Sequence, residues 1–97
     1  MEFNLANGTL TIFFKGDINS YNAEEVEKEI DGIMDNNPSQ RVVLDLENLR
    51  YLSSAGLRII IRIKQRCDDL TLVKTPKQVY EIFVMVGFQN MIKIEKL

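Results

Sequence analysis

Apolar residues recur along this chain with two periods, and the switches between them divide it into elements. Phe3-Asn4-Leu5 and Thr9 to Phe14 read as strands on either side of Asn7-Gly8. Asn-Gly between strand-like runs predicts a tight hairpin, because both central turn positions need positive φ. Gly16 is expected to end the second strand, with Asp17 to Asn22 as a polar loop. Ala23, Val26, Ile30, Ile33 and Met34 then recur at helical spacing and predict a helix from Tyr21 or Asn22 to Asp35. Asn19, Ser20 and Asn22 are competent caps for it, and Glu24, Glu25 and Glu27 suit its positive end. Asn36-Asn37-Pro38-Ser39 terminates it.

Residues 41–46 read as a buried strand, and Asn48 to Tyr51 as a connection. The next helix is expected over Ala55 to Arg66. Leu57, Ile59, Ile60, Ile61, Ile63 and Cys67 fill one wide arc of it, and Arg58, Arg62, Gln65 and Arg66 the opposite one. Ile59 and Ile63 lie at the edge of the apolar arc. Buried under the following helix they are core; exposed, they would give a partner a small apolar anchor. Leu70 to Val73 predict a short buried strand, after which Thr75 caps a helix that begins at Pro76. Val79, Ile82, Phe83 and Val86 form its apolar face, and Gly87 suits the position just past its end. Ile92 to Ile94 predict a last strand. The order β-β-α-β-α-β-α-β implies a single α/β domain over residues 1–97. Its sheet is expected to be mixed but mostly parallel, of four to five strands, with an opening hairpin and three to four helices.

Composition narrows the function classes. The chain has 97 residues, 45% hydrophobic and 27% charged, which suits one ordinary core. A net charge of −2 argues against a direct nucleic-acid or anionic-membrane binder. No apolar run approaches the ~20 residues of a membrane span. Met1-Glu2-Phe3-Asn4 has neither a basic nor an apolar leader region, so no signal peptide is expected. The lone Cys67 makes no internal disulfide and fits a reducing cytoplasm. There is no histidine, which excludes Ser-His-Asp and Cys-His catalysis and imidazole metal sites; a single cysteine excludes a thiolate zinc site. No cofactor is expected.

The chemistry that remains is hydroxyl chemistry at Ser53-Ser54, at a predicted helix start. The first helical turn offers unpaired N–H groups and a partial positive charge, so a serine there can cap the helix or carry a phosphate. Two adjacent hydroxyls exceed what one cap needs. Gly56 in the first turn costs about 1 kcal/mol relative to Ala, and Ala55-Gly56 leave the serine unshielded for the backbone of another protein. A hydrolase is excluded on pattern: no lysine stands three residues after either serine, and Leu52 replaces the first glycine of a Gly-x-Ser-x-Gly elbow. Asp45, at a strand end with Lys74-Thr75-Pro76 after a later strand, is a rival site as an aspartyl phosphoacceptor. That chemistry needs further carboxylates converging on magnesium, and the opening hairpin ends instead in Lys15-Gly16. The alternative for Asp45 is a structural carboxylate that accepts backbone N–H bonds.

The run Asp45-Leu46-Glu47-Asn48-Leu49-Arg50-Tyr51-Leu52-Ser53-Ser54-Ala55-Gly56-Leu57 resembles the signature of the STAS domain, as found in bacterial anti-sigma factor antagonists. The opening hairpin, the Gly16-Asp17-Ile18-Asn19 turn, the element order and Val86-Gly87-Phe88 have counterparts in that family. The resemblance implies a binding module, not an enzyme, in which Ser54 is the residue phosphorylated by a partner kinase. The unphosphorylated form would bind an anti-sigma factor that is often also the serine kinase, and a serine phosphatase would restore binding. It also implies that the loop carrying Asp17, Asn19, Ser20 and Tyr21 lies near the serine. Ser53, Ser54, Ala55, Gly56, Arg58, Ile59 and Arg62 complete the expected contact surface. Three positions depart from the best-studied pattern: Ser53 and Asn19 replace aspartates, and Ala55 replaces a hydroxyl residue. A STAS scaffold that docks without being phosphorylated is the alternative reading.

Overall fold

The computed structural model describes residues 1–97. The strands are β1 (Glu2–Ala6), β2 (Thr9–Ile18), β3 (Arg41–Leu52), β4 (Leu70–Thr75) and β5 (Lys93–Lys96). The helices are α1 (Ala23–Asn36), α2 (Ser54–Arg66) and α3 (Lys77–Met85), with a 3₁₀ turn over Phe88–Asn90. All five strands form one sheet in the order β1-β2-β3-β4-β5. β1 runs antiparallel to β2, and every later pair is parallel. Asn7 and Gly8 have φ of 54° and 78°, as the hairpin turn requires.

Each parallel connection passes through a helix and steps to the next strand in the same direction. Right-handed crossovers of that kind put the helices on one face of the sheet. Register and burial agree. Leu10, Ile12 and Phe14 of β2 stand beside Val42, Leu44 and Leu46 of β3 and Leu70 and Leu72 of β4, all buried. The alternating positions Thr11 and Phe13, Val43, and Thr71 and Val73 line the other face, half-buried or exposed. The core closes at one end with Phe83 stacked on Phe88, ring centroids 5.4 Å apart. α1 and α2 are joined at their outer edges by Arg62 with Glu27, and by Arg66 with Asp31 and Asp35.

Four local expectations are corrected. β2 does not end at Gly16 but runs through it to Ile18, with Gly16 at φ 71°. β3 is twelve residues long, so Asn48 to Tyr51 are strand, not connection. Two register shifts explain this: at each, β3 carries one more residue than β2 beside it. The bulges change the spacing of buried positions from two to three, giving Leu46, Leu49 and Leu52. Thr75 does not cap α3; it lies in β4, and its Oγ1 is buried without a hydrogen-bond partner. Pro76 is the extended residue before α3, and its carbonyl accepts from Tyr80 N–H at 2.8 Å. Asn22 precedes α1 without capping it, because its side chain is taken up by the loop described below.

Candidate docking site at the start of α2

The two bulges carry β3 along the full length of β2, so the strands finish side by side. Asp17 pairs with Tyr51 and Ile18 with Leu52. Ser53 N–H donates to the Ile18 carbonyl at 2.9 Å, the last tie before the chain turns into α2. Ser53 has extended backbone angles, and its Oγ accepts from Gly56 N–H at 3.5 Å. That is a long capping bond. Leu57 N–H donates to the Ser53 carbonyl at 2.9 Å and closes the first helical turn. Ser54 is the first helical residue, exposed, and its hydroxyl makes no hydrogen bond within the chain. The pair is thus divided: Ser53 serves the helix, and Ser54 faces outward in the field of the helix terminus. No acidic residue stands in the first turn of α2 to oppose an added anion.

The loop between β2 and α1 starts beside this pair, because Ile18, held by Ser53, immediately precedes Asn19. Asn19 Oδ1 accepts from the N–H groups of Tyr21 and Asn22 at 2.9 and 3.2 Å. Asn22 Oδ1 accepts from Asn19 N–H at 2.9 Å, and its Nδ2 donates to the Asp17 carbonyl at 2.8 Å. The two asparagines lock the turn and leave Ser20 and Tyr21 projecting; Tyr21 is 96% exposed. The Asp17 carboxylate stands 3.8 Å from Arg50 Nε. Arg50 and Tyr51, both exposed, belong to this rim and were not among the expected contacts. The signal that would have found them is the three-residue spacing of Leu46, Leu49 and Leu52, once read as a bulged strand with its intervening residues facing out.

Two expected contact residues, Gly56 and Ile59, are corrected by their burial, and a third, Arg62, is exposed but ion-paired. Gly56 is buried, and a Cβ there would lie 2.4 Å from Leu52 Cδ1 and 3.1 Å from Ile18 Cγ2. It lets α2 close onto the strand ends and opens nothing to a partner. Ile59 is 2% exposed and belongs to the core, as does Ile63. Arg62 is engaged by both carboxylate oxygens of Glu27, at 2.6 and 2.8 Å. This pairing holds its guanidinium proton more tightly than usual. Of the three arginines in the stripe, Arg58 alone makes no ion pair within the chain. It lies four residues after Ser54, a helical neighbour. Ala55 is half-buried.

Asp45 is elsewhere, in the middle of β3. It is largely buried, its Oδ1 accepts from Glu47 N–H at 3.1 Å, and its Oδ2 stands 3.7 Å from Lys74 Nζ. No three carboxylate, cysteine or histidine side chains are grouped to hold a metal ion. The partners of Asp45 are a backbone N–H and a lysine.

The site is thus an exposed, unbonded serine at a helix start, next to a polar loop held by the side chains of Asn19 and Asn22. Residues 1–96 match the STAS domain. The chain belongs to the STAS domain family. A Bordetella bronchiseptica protein assigned as the anti-sigma factor antagonist BtrV is 36% identical over 92 residues, covering 91% of this chain and 78% of that protein. An anti-sigma factor antagonist from Mycobacterium paratuberculosis superposes with a TM-score of 0.88 at 16% identity, covering 99% of this chain and 84% of that one. The antagonist SpoIIAA in its unphosphorylated form gives 0.78 at 13% identity, covering 96% and 85%. SpoIIAA of Bacillus is also known in a phosphorylated form, and this STAS domain matches that form with a TM-score of 0.70. At such identities the structural matches concern the fold, and it is the STAS fold.

Proposed function

We propose that this STAS domain is an anti-sigma factor antagonist of the cytoplasm. Its unphosphorylated form binds an anti-sigma factor that is also a serine kinase, and so frees a sigma factor. Phosphorylation of Ser54 ends the binding, and a serine phosphatase restores it. The domain acts as binding module and kinase substrate; it catalyses nothing itself. The observation that carries this reading is the outward Ser54 hydroxyl, free of internal bonds, directly after Ser53, whose N–H holds Ile18 at the start of the loop that carries the exposed Ser20 and Tyr21. The naming of the relatives supports the antagonist role.

The switch follows from where a phosphate would stand. Phosphoserine brings about −1.5 to −2 charge units at pH 7. Within the domain that charge meets the N-terminus of α2, which favours a nearby anion by about 0.3–1 kcal/mol. Arg58, unpaired and one turn on, adds attraction. Against a docked partner the same charge is taken from water, at a cost of several kcal/mol unless a cation meets it. Each ~1.4 kcal/mol is tenfold in affinity. The fold therefore tolerates the modification while the complex weakens by at least about a hundredfold on that scale.

The test is binding of the cognate anti-sigma factor to Ser54→Asp and Ser54→Ala proteins. Ser54→Asp should keep the native circular dichroism spectrum and lose the partner, while Ser54→Ala keeps both. Equal binding by all three proteins, with no phosphate acquired from the kinase, would instead favour the non-switching scaffold.

A further inference from the structure

The two edges of the sheet are unlike. β5 carries Lys93, Glu95 and Lys96 within its four residues, and charges of that density block pairing with another strand. β1 carries one charge, Glu2, and has no lysine or proline. Phe3 and Leu5 alternate along it, with Met1 just before it, and the three are 45%, 42% and 39% exposed. Phe3 and Leu5 pair with Ile12 and Leu10, so they stand on the helix-covered face, at its open margin. Between β1 and α1 lies a cavity of about 380 Å³, lined by Phe3, Lys28, Gly32 and Ile33 among others. Gly32 has no role in the internal packing: a Cβ there would have no atom within 4 Å, and its φ is not positive. A glycine inside a helix disfavours it relative to alanine. Here it widens a groove beside an unpaired strand.

We propose that β1 is a self-association edge. Two copies pair their β1 strands antiparallel across a two-fold axis centred on Asn4, so that one sheet runs through both. The occupant is a second copy because the strand is self-complementary. Phe3 stands opposite Leu5 of the second copy, and Glu2 opposite its Ala6. The two Glu2 carboxylates then lie at opposite ends of the ribbon, about 13 Å apart along the strands at ~3.3 Å per residue. Parallel pairing would set them side by side. A two-fold axis perpendicular to the sheet brings both α1 helices to the same face, so Gly32 and Ile33 of each copy border one shared groove. The apolar margins cover each other, as an isologous contact requires. The strands are short and the contact small, so the dimer is a weak, concentration-dependent one. The Ser54 surface, at the start of α2 and not on this edge, stays open.

Sedimentation equilibrium of the full chain from roughly 10 µM to 1 mM tests this, the range suited to an interface below about 1,200 Å². The weight-average mass should climb from one protomer towards two, and Leu5→Lys, with an unchanged circular dichroism spectrum, should remain at one. In a Cys67→Ser background, Asn4→Cys should form a disulfide-linked dimer on mild oxidation, since facing residues of antiparallel strands have Cα atoms about 4.5–5.5 Å apart. Glu95→Cys, on the charged edge, should cross-link at least tenfold more slowly. A mass fixed at one protomer, association unaffected by Leu5→Lys, or equal cross-linking at the two edges would overturn the proposal.

Discussion

Ser53 and Ser54 are adjacent and chemically identical, yet the backbone gives them different work. The extended angles of Ser53 turn its oxygen back towards Gly56 N–H, whereas Ser54 has already entered the helix and points away. Sequence alone places two hydroxyls at a helix start and cannot divide them, because the division depends on which residue carries the last strand bond to Ile18. Gly56 is the residue whose role changes most. Read from sequence, it is a gap in the surface; in the fold it is a contact with almost no clearance. Gly56→Ala should therefore destabilise the domain, although alanine is the better helix former. Its Cβ would fall 2.4 Å from Leu52 Cδ1 and 2.9 Å from Leu52 Cγ. Overpacking of this kind costs about 1–3 kcal/mol, to be read as a lower urea midpoint with unchanged slope. A variant as stable as wild type would mean that Leu52 moves aside freely.

At the scale of elements, α2 joins the site to the rest of the fold. Its first turn carries the serines, its inner face supplies Ile59, Ile60 and Ile63 to the core, and its outer face reaches α1 through Arg62 and Arg66. It ends at Cys67, whose Sγ donates to the Ile63 carbonyl at 3.2 Å. Burial pushes the Cys67 thiol up from its ordinary value, with Asp68 and Asp69 adding to the shift and Lys64 and Arg66 opposing it. The folded state thus prefers the neutral thiol. As pH rises past the ordinary cysteine range near ~8.5, the unfolded chain releases that proton first and the domain loses stability. Thermal melts from neutral to alkaline pH should show a steeper decline in wild type than in Cys67→Ser. Identical slopes would contradict the shift.

β3 shows how far pattern reading reaches and where it stops. Residues 41–46 follow the plain alternation of a strand and are legible as one. Beyond Leu46 the buried residues come every third position, which matches neither a strand nor a helix. The cause is the pair of bulges, a property of how β2 and β3 run together rather than of either segment. They lengthen β3 just enough to bring Ser53 beside Ile18, and so bring the Asn19–Asn22 turn beside the serines.

Over the whole molecule, the order of elements was legible because each carries its own punctuation: Asn7-Gly8, Pro38, Asp68-Asp69, Pro76 and Gly87. Helix termini were legible to within a residue or two. Side-chain partners across the fold were not. The arginine stripe of α2 reads as a free surface until Glu27, Asp31 and Asp35 come alongside from α1, more than thirty positions away in every pair. Once they do, Arg58 is the cation left for the serine end. The sheet is covered by helices on one side only, and the exposed Ser54 lies at the strand ends rather than on the sheet. No helix is long and apolar enough to cross a membrane. An added phosphate at Ser54 would stand outside the core and strain nothing within it.

The most direct test is to map the phosphate. The domain, its Ser53→Ala variant and its Ser54→Ala variant would be incubated with the cognate anti-sigma kinase and ATP, and the products sequenced by mass spectrometry. A single phosphate on Ser54 in wild type and Ser53→Ala, and none in Ser54→Ala, is the expected result. Phosphate on Ser53, or transfer undiminished in Ser54→Ala, would contradict the assignment of the outward hydroxyl as the switch.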